Sequence, residues 1–80
     1  MKEKKTVRFG MLLKEKESGL RFLASKVEFG KVELFCIDEY MSFTAPRKDF
    51  FEHYEEITNP DDATAVAAEA KRKQLHAMFG

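Results

Sequence analysis

Apolar and polar residues alternate through most of the N-terminal half of the chain, with the two-residue period of half-buried strands. In "TVRFGMLLKEK", Val7, Phe9, Met11 and Leu13 share one face. "ESG" follows as a turn, with Gly19 free to take a positive φ. "LRFLASKVEF" then places Leu20, Phe22 and Ala24 on one face, while Leu23, Val27 and Phe29 occupy the other parity. A change of face within one extended run predicts a bulge or bend near Ser25 and Lys26. Gly30 marks the next turn, and "KVELFCID" is the most apolar strand. Val32, Leu34 and Cys36 face one way and Phe35 and Ile37 the other, as in a central strand covered on both sides. Asp38 and Glu39 form a tight connection to "YMSFTA", a fourth strand.

The period changes in "APRKDFFEHYEEI". Read as a strand, Phe50 and Tyr54 share their parity with Glu52 and Glu56. Read as a helix, Phe50, Tyr54 and Ile57 fall at i, i+4 and i+7, with Phe51 alongside. Pro46 suits a first helical position, where its missing N–H would be unpaired anyway. The pattern predicts a short helix near 47–54 and a brief edge strand from Glu55 to Thr58. A second helix is predicted near 60–78. Asn59 would cap it, Pro60 would open it, and Asp61 and Asp62 would meet the positive end of its dipole. "KRK" at 71–73 lies towards the opposite end, where cations are favoured.

Four meandering strands, a helical turn and a last short strand resemble the small SH3-like barrel proteins of bacteria and mobile elements. The matching residues are "YMSFTAPRKDFFEHYEEI", with Pro46, Phe50 and Tyr54 in the pattern, and the resemblance covers residues 6–58. It implies a mainly β chain with a C-terminal α-helix, built as a small antiparallel SH3-like barrel or curled meander of four or five strands. Residues 1–58 would form the β-barrel part with its short helix. Residues 59–80 would pack on it or project from it, within a single domain. Signalling SH3 domains read proline-rich peptides with a groove that includes a tryptophan, and this chain has none. The resemblance therefore extends to architecture and not to ligand.

Composition narrows the setting. Eighty residues make one domain, and a domain of this size buries only roughly 60% of its unfolded surface. Eight phenylalanines supply bulk for the core. The lone Cys36 leaves no internal disulfide, which points to a reducing, cytoplasmic location. No apolar run is long enough to span a bilayer, and "MKEKKTVRFG" lacks the apolar stretch of a signal peptide, so no membrane partner is expected. The net charge of zero conceals an uneven distribution. Residues 1–26 carry eight Lys or Arg against three acids, and residues 27–62 carry three against ten.

Candidate chemistry is sparse. Cys36, between Phe35 and Ile37, reads as a buried structural cysteine. His53 and His76 lie in different elements and show no metal spacing with Cys36. Glu52, Glu55, Glu56, Asp61 and Asp62 lack the spacing and central glycine of a calcium loop. No Gly-rich phosphate loop or Ser/His/Asp arrangement is present. These readings lead to the expectation of a non-enzyme with no cofactor and no metal.

Two binding surfaces suggest themselves instead. On the C-terminal helix, Ala63, Val66, Ala67, Ala70, Gln74 and Ala77 form a shallow stripe, and Leu75 lies opposite Val66 at about 100° per residue. One docking surface cannot easily bury both faces. Leu75, Met78 and Phe79, with the acidic Glu52, Glu55 and Glu56, are therefore candidate contacts for another protein or a second copy. The alternative is nucleic acid, held by Lys14, Lys16, Arg21 and Lys26 around the first hairpin and by Lys71, Arg72 and Lys73. Lys2, Lys4 and Lys5 would trail near that hairpin. Small barrels bind nucleic acid through such faces, but the pI of 6.7 lacks the usual basic excess. The reading placed first is a non-catalytic protein-binding module, such as a small regulator, adaptor or inhibitor occupying a partner's surface. A nucleic-acid-binding barrel is the alternative.

Overall fold

A computed structural model describes residues 6–79, the last of them by its backbone alone. Strands β1 (Leu12–Glu15), β2 (Arg21–Val27), β3 (Lys31–Cys36) and β4 (Met41–Pro46) are followed by a one-turn helix, α1 (Phe50–His53). Strand β5 (Tyr54–Glu56) and the long helix α2 (Asp62–Phe79) complete the order. All strand pairs are antiparallel, in the order β4-β3-β2-β1-β5. The curled meander is what forms, and the barrel alternative is not realised. The three-residue β5 lies on the outer side of β1, and β4 stands at the far edge, so the two ends of the sheet do not meet.

The switch of face in β2 appears where the pattern placed it. Ala24 pairs with Leu34 and Lys26 with Glu33, so Ser25 is the extra residue of a bulge. Its hydroxyl donates to the Glu33 carbonyl at 3.2 Å, which satisfies a buried polar side chain. The first strand, in contrast, is shorter than its alternation suggested. Gly10 takes φ 84°, and this turn breaks the run ahead of Leu12. Val7 and Leu13 are buried, whereas Phe9 is left half exposed.

"APRKDFFEHYEEI" is both helix and strand. Asp49, at φ 57°, begins a single helical turn, and the chain becomes extended at Tyr54. Pro46 closes β4 instead of opening a helix. The helical spacing still has a function, because the Phe50 ring stacks on Tyr54 at 4.5 Å. At α2 the cap is Asp61 and not Asn59. The Asp61 carboxylate accepts from the Thr64 N–H at 2.8 Å, so the helix begins at Asp62, two residues after Pro60.

Both faces of the sheet are covered. On one, Leu13, Phe22, Ala24, Val32, Leu34 and Cys36 pack under Val7 and Phe50. On the other, Leu12 and Leu23 pack against Ala68 and Leu75 of α2. Helix α2 thus docks through Thr64, Ala68 and Leu75, which are buried, while Ala63, Val66, Ala70 and Ala77 of the alanine stripe face solvent. This corrects the assignment of Leu75 to a partner surface. The stripe is too shallow to fill the space above Leu12 and Leu23, and a leucine on the opposite side of the helix fills it better.

Replacing Phe50 or Leu75 by alanine removes a buried anchor from one face, and each change should cost on the order of 3 kcal/mol. A domain of this size has about 5 kcal/mol in total. Urea unfolding should therefore shift steeply to lower denaturant for both variants.

Candidate functional site

Among the exposed large apolar side chains of the described residues, Met41 and Phe43 share strand β4, whereas Phe9, Phe29, Val66 and Met78 are scattered. Tyr40, in the turn ahead of β4, is 79% exposed, Met41 55% and Phe43 40%. The register explains why Met41 and Phe43 face the way they do, whereas the Tyr40 ring meets Phe35 edge-on at 5.5 Å. Met41 pairs with Cys36, Phe43 with Leu34 and Ala45 with Val32, all on the face that carries Phe22. Phe43 meets the buried Phe22 edge-on at 5.9 Å, and Phe22 meets Tyr54 edge-on at 5.8 Å. An aromatic series therefore runs from the β4 edge across the sheet to Tyr54, Phe50 and Phe51. Its Tyr54 end is half-buried, and burial together with the nearby Glu15 carboxylate raises the phenol's pKa.

Of the phenylalanines that supply bulk for the core, only Phe22 and Phe50 are buried among the described residues. Phe29, at the tip of the β2–β3 hairpin, is fully exposed. The alternation of "YMSFTA" was legible in the sequence. That its apolar parity would lie at an open edge depended on the sheet not closing.

The candidate partner contacts are dispersed. Glu52 and Glu55 are exposed, Glu56 is half-buried on β5, and Met78 is exposed on α2. Leu75 is core, and the Phe79 side chain lies outside the described residues.

The candidate phosphate track is largely occupied by the protein's own acceptors. The Arg21 guanidinium pairs with both carboxylate oxygens of Asp38 and donates to the Thr64 hydroxyl. Lys16 donates to the Phe51 carbonyl at 3.0 Å, and Lys26 lies 3.6 Å from Glu28. Arg72 grips the Gly10 carbonyl with two N–H groups, at 2.9 and 2.7 Å, and holds the N-terminal turn against α2. Lys71 sits 4.2 Å from the Phe35 ring centroid and also donates to Gln74. Lys14 and Lys73 are exposed, and Lys2, Lys4 and Lys5 lie outside the described residues.

Cys36 is completely buried in the first cluster, an inert setting for a thiol. His53 and His76 are exposed on separate helices. Among the described residues no three His, Cys, Asp or Glu side chains converge as metal ligands. A cleft between α2 and the β1–β5 side includes Met11, Ile57, Val66 and Arg72, but its one cation is the arginine already bound to Gly10. No described helix is long and apolar enough to cross a membrane. No family model, curated protein or solved structure matches the chain.

Arg21 links three elements, because Asp38 follows β3 and Thr64 lies in α2. Asp38 also accepts from the Arg21 backbone N–H at 2.9 Å. These hydrogen bonds hold the Asp38 pKa below the ordinary carboxylate value. A depressed folded pKa stabilises the protein above the unfolded value of about 3.9, and that contribution disappears as pH falls through the folded pKa. Thermal melts should therefore weaken on acidification below about pH 4. Asp38→Asn should be less stable at neutral pH and show a flatter acid limb.

Proposed function

We propose that this is a non-catalytic protein-binding module, a small regulator, adaptor or inhibitor whose contact surface is the β4 edge. The observation that carries the reading is the exposed pair Met41 and Phe43 on one face of a strand whose outer edge has no neighbour among the described residues, with exposed Tyr40 in the turn beside it. Contiguous apolar exposure rimmed by polar residues marks interaction surfaces. A sheet edge adds unpaired backbone donors and acceptors, which an incoming strand can use. The strand order, with a helical turn ahead of β5, supports an SH3-like relationship for the sheet, left open at β4. Intracellular action in a reducing compartment fits the single unpaired cysteine.

Nucleic-acid binding is the weaker reading. Of its seven candidate cations, Lys16, Arg21, Lys26, Lys71 and Arg72 already have intramolecular partners. Lys14 and Lys73 alone would give a salt slope of only about −1.8, at 0.9 per duplex phosphate.

The test is an affinity pull-down from the native host, with and without nuclease, using the wild-type chain and Met41→Lys and Phe43→Lys variants. Capture that survives nuclease and is lost in both folded variants is the expected result. Nuclease-sensitive recovery, or a salt slope well beyond −2, would overturn the proposal in favour of nucleic acid. Undiminished capture by both variants would remove β4 from the contact surface.

A further inference from the structure

We infer that the β4 edge pairs with the β4 edge of a second copy, forming a two-fold dimer centred on Phe43. This rests on the reading of β4 as the contact surface and names its occupant. The backbone phase of the strand is fixed by two bonds. Arg47 N–H donates to the Gly30 carbonyl at 3.2 Å, and Ile37 N–H to the Arg21 carbonyl at 2.9 Å. Directly opposed residues alternate between bonded and non-bonded pairs along an antiparallel ladder. Hence Met41, Phe43 and Ala45 exchange bonds with β3, and Ser42 and Thr44 turn their N–H and C=O groups outward. Pro46 falls on the outward phase, where its missing N–H removes nothing from the β3–β4 ladder.

Only one two-fold register uses both outward N–H groups without running into Pro46 or the turn at Tyr40. It sets Ser42 against Thr44 of the second copy and Phe43 against its own counterpart. The side chains then match. Phenylalanine meets phenylalanine, serine meets threonine, and the long Met41 meets the short Ala45. Aromatic pairs and hydroxyl pairs of this kind favour strand association.

Charge points to the same occupant. Natural edges are guarded by charged residues, and β5 has two glutamates among its three positions. Residues 41–46 carry no charge, and the chain's formal net charge is zero, so two copies meet without net repulsion.

The test uses the full chain and two charge variants, Ser42→Lys/Thr44→Lys and Ser42→Glu/Thr44→Glu. Both positions are exposed, so each variant should keep the wild-type circular dichroism spectrum. Sedimentation equilibrium should show a reversible wild-type dimer across micromolar to millimolar concentrations, and each variant alone should be monomeric. Mixing the two should restore a heterodimer, because the register places lysine opposite glutamate at both sites. A wild-type chain that stays monomeric throughout overturns the inference, as does a dimer that both variants retain or a mixture that fails to associate. The two proposals fail separately. A monomer that still captures a foreign protein through Met41 and Phe43 ends the dimer alone. A dimer whose host partner ignores those residues ends the foreign-partner reading alone.

Discussion

Strand β2 must be covered on both faces, and most of the molecule is arranged to do so. Phe22 and Ala24 are buried on one side, and Leu23 on the other. A two-sided strand needs two lids. One is made by Val7 and Phe50, which the N-terminal segment and α1 carry over the first face. The other is α2, seated on Leu12 and Leu23 through Ala68 and Leu75. The polar ties follow from these placements. Arg21, at the start of β2, reaches Asp38 and Thr64, while Arg72 returns from α2 to the Gly10 carbonyl. Both arginines fasten α2, one to the start of β2 and the other to the turn at Gly10.

The same arrangement accounts for the distribution of charge. A chain with as many cations as acids could have presented a basic face, but Arg21, Arg47, Arg72 and several lysines are directed at neighbouring acceptors. What remains distinctive on the surface is the reverse of charge: an apolar, uncharged strand at one edge. Binding there would gain little from long-range steering and would depend on close fit and backbone pairing.

Much of the fold was legible because its signals are local. Strands β2, β3 and β4 announce themselves by alternation, and the bulge at Ser25 by the change of parity around it. The start of α2 was legible to within two residues from Pro60 and the acids after it, although Asp61 and not Asn59 makes the cap. The errors arose where tertiary context decides. Phe9 continues the alternation of Val7, yet the Gly10 turn sends it outward. Leu75 looked unpartnered because a helix read alone does not reveal which face the sheet needs. Phe43 has a core parity, and only its position at an open edge leaves it exposed. That position depends on β5 choosing β1 as its neighbour, a pairing between distant segments that no local pattern records.

The chain order of the two lids has a consequence for how the molecule assembles. The β2–β3–β4 hairpins join neighbours in sequence through short turns, so their contacts close cheaply and early. Strand β5 and α2 come later and must fold back across the sheet to reach β1 and β2. During synthesis the strands emerge before α2, leaving Leu12 and Leu23 bare for the interval. At that stage the nascent sheet has an uncovered apolar face as well as an uncharged edge at β4. The docking of α2 therefore ends the period in which the newly made chain is most prone to stick to its neighbours.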